Sequence, residues 1–301
     1  MPQTTAKHPK WNAADYAANS AVQQNWAREL ITRLHLRGDE RVLDVGCGDG
    51  KVTAEIARAV PHGAVVGVDA SAEMIAFARK TFPAKQNPSL KFQVMDARKI
   101  DPDVLFLGAP ASRRQVPRVP AGRQRSRVNS KGAESVAFNI VFSNATLHWV
   151  DDHRAFLRGV ATILKRGGRL LVSCGGKGNA HDVFLALRSQ MRLKRWRGFF
   201  RKLGKPYFFY SPAEYEKWLP RFGFKSRGVK LSPKDAVYDD RNRFAAWLRT
   251  TWLPYIQRVP EDSRGEFIAA VTDRYLTKHP PDAEGRVHVR MVRLEIDAVK
   301  K

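Results

Sequence analysis

The residues best suited to chemistry are Asp44-Val45-Gly46-Cys47-Gly48-Asp49-Gly50, where an apolar run at 42–45 gives way to a helical pattern beginning at Lys51. Glycine lets a chain turn tightly and lets a ligand lie close against the backbone. The spacing limits which ligand. A phosphate-binding loop needs Gly-x-x-x-x-Gly-Lys-Ser/Thr, but here Val45 takes the first glycine position and Val52 follows Lys51. A dinucleotide fingerprint reads Gly-x-Gly-x-x-Gly, whereas these glycines fall at 46, 48 and 50. Asp44 and Asp49 flank the turn, and carboxylates there repel a pyrophosphate and welcome a cation.

Two further acids extend the pattern. Asp69 closes the apolar run AVVGVDA, 25 residues after Asp44, and suits a two-oxygen grip on ribose hydroxyls. Asp96 closes the next run, where an acceptor can meet an adenine amino group. A single acid at a strand end is as readily a helix cap. Three at consecutive strand ends, the edge where open parallel sheets bind ligands, point to a ligand with an ammonium, a sulfonium and a ribose. That ligand is S-adenosylmethionine.

The elements that must position these acids are legible as alternation. Near-continuous apolar strands at 42–45, 64–70, 90–95, 138–143 and 169–173 alternate with helical patterns from Lys51, from the Ser71 cap to Lys80, and over 152–164. Such alternation predicts an α/β fold, a Rossmann-like doubly wound, seven-stranded, mostly parallel sheet. Val22, Trp26, Leu30 and Leu34 predict one N-terminal lid helix over 14–36, with Gly38 as its stop. Ser211-Pro212 opens a helix to Phe222, a strand follows over 224–231, and helices are expected at 241–258 and 261–278 before a last strand from Arg286. The organisation expected is a lid at 1–38, a core at 39–232, a helical cap at 233–282 and a final core strand at 283–301.

Charge bounds the partners. The 301 residues carry 53 Lys+Arg against 29 Asp+Glu, a net charge of +24. Fifteen of the basic residues lie in two acid-free stretches, seven at 104–133 and eight at 183–213. The first is read as a solvated, disordered insertion at 108–132. No apolar run approaches the roughly 18 residues of a membrane span, and no secretory signal is visible, so a cytoplasmic protein is expected. Two cysteines, without metal-ligand spacing, predict neither a disulfide framework nor a metal site. The chain is expected to be a monomer or homodimer.

VLDVGCGDGKVTAEIA, VVGVDASAEMIAFARK, FQVMDA and FNIVFSNATLHWV together resemble the class I S-adenosylmethionine-dependent methyltransferases over about 41–173. YAANSAVQ at 16–23, SNATLHWV at 143–150, YSPAEYEKWLPRFGF and the cap segments WLRTTWLPYI and HPPDAEGRVHVRMVRLE look most like the trans-aconitate and juvenile hormone acid methyltransferases, which methylate carboxylates. The insertion and the basic 183–213 stretch depart from both groups. Carried over by position, the resemblance implies a cofactor site of Tyr16, Asp44, Gly46, Cys47, Gly48 and Gly50, completed by Asp69, Ala70, Met74, Asp96, Ala97 and Asn144. It also implies that Gln23 and Trp149 hold the acid, with His148 beside them.

A carboxylate is already ionised at neutral pH, so its methylation needs alignment rather than a strong base. Base methylation fits less well: Ser143-Asn144-Ala145-Thr146 lacks the Asn/Asp-Pro-Pro-aromatic turn of the amino-methylases, and neither cysteine has an activating neighbour in sequence. Arg290 and Arg293 on the last strand are candidate carboxylate clamps, a solvated strand face being the alternative. The aromatic residues of 196–210 are read as cap lining or core, or as a stacking surface for nucleic acid. The reading is methylation of a small organic acid, with carbon or oxygen methylation of a quinone- or isoprenoid-like molecule, and RNA binding or modification, as alternatives.

Overall fold

The computed structural model describes residues 10–106 and 137–301, so the 108–132 insertion lies outside the described residues. The strands are β1 (Arg41–Val45), β2 (Ala64–Asp69), β3 (Leu90–Val94), β4 (Phe138–Asn144), β5 (Leu164–Gly175), β6 (Phe224–Tyr238) and β7 (Val287–Lys300). They form one sheet in the order β3-β2-β1-β4-β5-β7-β6. β7 runs antiparallel to β5 and β6, and the other pairs are parallel. The doubly wound, mostly parallel architecture follows from strands such as β1, whose Val42, Leu43 and Val45 are all buried because helices cover both faces.

On those faces lie α2 (Ala21–Leu34), α3 (Lys51–Ala59), α4 (Ala72–Thr81), α6 (His153–Ile163) and α8 (Pro212–Trp218), and the short α5 (Pro102–Phe106) follows β3. The N-terminal segment differs from expectation. It is two helices, α1 (Ala13–Asn19) and α2, broken at Ser20. Asn19 bonds back to the carbonyl and carboxylate of Asp15, giving the first helix a local stop. The second ends at Leu34, and the next residue, His35, adopts a left-handed conformation before Gly38 is reached.

β6 runs seven residues past the expected Leu231, paired with β7 as far as Tyr238↔Val287. This extension carries α9 (Arg241–Thr251), α10 (Leu253–Ile256) and α11 (Arg264–Leu276). Val287, Val289 and Met291 of β7 pack in a single apolar cluster with α9–α11 and with α7 (His181–Met191). Trp196, Phe200 and Tyr207 belong to the same cluster and are at most 9% exposed. Three of the seven aromatic residues at 196–210 are therefore core, and Phe199, Phe208, Phe209 and Tyr210 are half-buried.

Candidate functional site

β1 leads into the glycine turn, and the turn's amides are already engaged. Gly46 and Cys47 donate to the Val68 carbonyl at 2.7 and 3.0 Å, Gly48 to Asp69 Oδ2 at 3.0 Å, and Gly50 to the Cys47 carbonyl at 3.0 Å. A turn whose N–H groups point inward is no cradle for phosphate. It presents carboxylates and carbonyls instead, the donor set a cationic ligand requires.

The three turn glycines differ in purpose. A Cβ on Gly46 would lie 2.0 Å from Thr146 Oγ1, and one on Gly50 2.8 Å from Phe92, so these two serve packing. A Cβ on Gly48 meets only Tyr16, at 3.8 Å, across open space. Gly46→Ala at φ +78° is expected to cost about 2–5 kcal/mol in a denaturant melt, from left-handed strain plus overpacking. Gly48→Ala should leave the melt within about 2 kcal/mol yet weaken cofactor binding. Equal melts for the two variants would refute this division.

A cavity of about 40 Å³ opens beside the turn, lined by Tyr16, Gln23, Asp44, Gly46, Cys47, Gly48, Asp49 and Asn144 among others. Asp44 is buried, accepts from Thr53 Oγ1 at 2.7 Å, and is pushed up to about 7 by burial, with Asp69 adding repulsion. Asp49 Oδ2 is buried and accepts no hydrogen bond, although Lys51 Nζ lies 3.4 Å away. Gln23 Oε1 is also buried without a partner. Unsatisfied acceptors in a carboxylate-lined hollow fit a ligand bearing an ammonium and a sulfonium.

Other predicted residues sit further along the same sheet edge. The Asp69 carboxylate takes amides from Gly48 and Ser71, and burial raises its pKa. Asp96 is forked by Arg98 at the end of β3 and caps the short turn that Ala97 opens. Ala70 is exposed just past β2 and Met74 is buried in α4. None of these, nor Gly50, lines that cavity.

On the acceptor side the structure separates the two arginines. Three positions apart on a strand, they face opposite sides of the sheet. Arg290 is largely exposed and pairs with Asp182 at 3.3 Å, so it does not join Arg293 in a clamp. Arg293 is 3% exposed, donates to Ser173 and to Asn144 Oδ1, and lies over the Trp26 ring. Burial draws its pKa down to about 10, and no carboxylate among the described residues pairs with it within 4.0 Å. Asn144 in turn donates to the Gln23 carbonyl at 3.0 Å, joining the buried cation to the cavity wall.

His148 lies nearby, its Nδ1 accepting from the Gly175 amide at 3.3 Å. That bond leaves the ring proton on Nε2. Burial, then Arg293, lowers its pKa to about 3, so the ring is neutral at physiological pH. Trp149 meets Trp11 at 5.3 Å and Tyr207 at 4.8 Å. Trp11 also packs edge-on against Tyr16, so it links the cofactor side to the acceptor side. Sequence reading missed Trp11, which precedes the helical pattern that drew attention to this segment. The N-terminal segment is tied to the cap by a two-bond Arg249–Asp15 pair and by reciprocal bonds between Lys10 and Gln257.

The two cysteines are buried thiols. Burial raises Cys47 well above its ordinary value and Cys174 to about 12, so neither is an activated nucleophile.

Comparison with known proteins agrees with this geometry. The family described as a methyltransferase domain matches residues 18–227. A trans-aconitate 2-methyltransferase of Rhodopseudomonas palustris (strain BisB5) is 26% identical over 96% of this chain and 99% of its own length. An uncharacterized methyltransferase of Schizosaccharomyces pombe is 27% identical over 83% of this chain and 84% of its own. Among solved structures, Haemonchus contortus phosphoethanolamine N-methyltransferase 2, in complex with phosphomonomethylethanolamine and S-adenosylhomocysteine, shares the fold. Its TM-score is 0.55 at 15% identity, over 96% of this chain and 56% of that one.

Proposed function

The chain belongs to the class I S-adenosylmethionine-dependent methyltransferases, and on that footing we propose that it methylates a carboxylate oxygen of a small organic acid of the trans-aconitate kind. The observation that carries this reading is a buried cation without a carboxylate partner, Arg293, beside a histidine too weakly basic to take a proton. Such a site favours an anion and offers no base to a phenol, amine or carbon acid. The trans-aconitate 2-methyltransferase likeness supports the same class of acceptor.

S-adenosylmethionine supplies a methyl group on a sulfonium, ready for in-line displacement. Asp44, Asp49 and Gly48 hold its cationic amino-acid end, with Tyr16 closing from α1. Asp69 takes the ribose, and Asp96, Ala70, Met74 and Ala97 border the adenine. Arg293, positioned by Asn144, draws the acid's carboxylate toward the cavity, while Gln23 and Trp149 fix its orientation. His148 donates through Nε2 rather than accepting. Alignment of this kind is worth roughly 7–11 kcal/mol of barrier. Among the described residues no helix is long and apolar enough to cross a membrane, and we place the enzyme in the cytoplasm.

The test is transfer of tritium from methyl-labelled S-adenosylmethionine to a panel of di- and tricarboxylic acids. Label released by base as volatile methanol is expected from at least one acid, and not from its Asp69→Ala counterpart. Base-stable label in a cell extract, with every acid silent, would move the acceptor to carbon, nitrogen or a phenolic oxygen.

A further inference from the structure

Once the aromatic rings of 196–210 have folded into the cap, the surface they leave is unusual. The 183–213 stretch has eight basic residues and no acid. Of these, only Arg195 pairs with a carboxylate among the described residues, Glu266. Arg188, Arg192, Lys194, Arg197, Lys202 and Lys205 are all exposed. Arg258 reaches in from the end of α10 to the carbonyls of Arg201 and Lys202, adding another guanidinium.

Two large apolar side chains stand among these cations, Leu185 at 51% and Leu193 at 49% exposure. Positions 181, 185 and 188 of α7 and its cap residue Arg192 fall at helical spacing, so Leu185, Arg188 and Arg192 share one outward stripe. Beside the stripe lies a second cavity, of about 410 Å³, walled by Phe184, Met191, Leu203, Tyr207, Phe209 and Tyr255. Arg188 and Lys205 belong both to its lining and to the basic surface.

We propose that the outer face of α7 and the chain following it to Lys205 docks on an anionic lipid surface. The cations meet phosphate headgroups, and the two leucines enter the interface, the combination by which a basic amphipathic surface holds to a membrane. The cap cavity then faces the lipid. Nucleic acid fits this face less well. Trp196, Phe200 and Tyr207 are buried in the cap, which leaves few rings free to stack on bases.

The test is co-sedimentation of the full chain with vesicles of phosphatidylcholine, alone or doped with phosphatidylglycerol, at low and high salt. Binding is expected only to the doped vesicles and should fall with salt. Lys194→Glu with Arg197→Glu should weaken it at least about 25-fold, at roughly 5-fold for each cation lost. Leu185→Gln with Leu193→Gln should weaken it about 10-fold while leaving the salt dependence intact. Vesicle binding that neither pair alters overturns the proposal. So does the absence of vesicle binding alongside retention of polyuridine RNA that the leucine pair does not affect.

Discussion

Asp44→Asn is expected to weaken S-adenosylmethionine binding about 10- to 100-fold at pH 7.5 while leaving the fold intact. Asparagine keeps an oxygen for the Thr53 hydroxyl, which donates to Asp44 Oδ2 at 2.7 Å, so the variant loses charge and little else. A charge-assisted hydrogen bond is worth about 1.5–3 kcal/mol, which sets that range. The pH dependence is the sharper signature. In the free protein burial holds Asp44 near 7, with repulsion from Asp69 in the same direction. The carboxylate form binds the cation, and the bound cation stabilises that form. Affinity must then rise with pH up to about 7. If the bound-state pKa lies below 5, the gain from pH 5.5 to 7.5 is about 20-fold. Isothermal titration at the two pH values tests this. The sulfonium keeps its charge throughout, and the cofactor's α-ammonium, titrating at about 8, can only lose charge as pH rises, so a gain in affinity with pH reports on the protein. A wild-type affinity as flat as the variant's would remove Asp44 from the cation site.

The cofactor side was legible in sequence for a physical reason. A tight strand-to-helix turn at positive φ demands glycine, and buried parallel strands demand unbroken apolar runs, so Gly46 and Val42–Val45 leave little room for another reading. The acceptor side is assembled from distant segments instead. Asn144, Ser173 and Arg293 converge only through strand order β4-β5-β7, which pairing decides and composition does not, and Trp11 arrives separately from the segment before α1. Arg290 and Arg293 are an odd number of residues apart, so period-two alternation already sends them to opposite faces. The aromatic run shows the opposite limit. Its residue types suit both a stacking surface and a core, and only the packing of Trp196 against Phe267 at 5.2 Å decides between them.

Arg293→Met is expected to trade activity for stability. A buried guanidinium without a carboxylate partner carries a desolvation cost of several kcal/mol. Its hydrogen bonds recover only part of that. The Ser173 carbonyl it bonds already accepts from the Ala145 amide at 2.8 Å, so the main acceptor stranded by the change is Asn144 Oδ1. That loss costs about 1–3 kcal/mol, less than the burial it relieves. The Tm of the ligand-free variant should therefore equal or exceed that of the wild type. Its KM for the acid should rise at least about 30-fold, since removing one partner of a buried ion contact costs about 2–5 kcal/mol. The KM for S-adenosylmethionine should barely move. The split between the two substrates decides the assignment, because the cofactor carries a carboxylate of its own. A loss confined to cofactor binding would give Arg293 to that carboxylate. A fall in Tm with both affinities intact would make it a structural cation, and the acid would need another anchor.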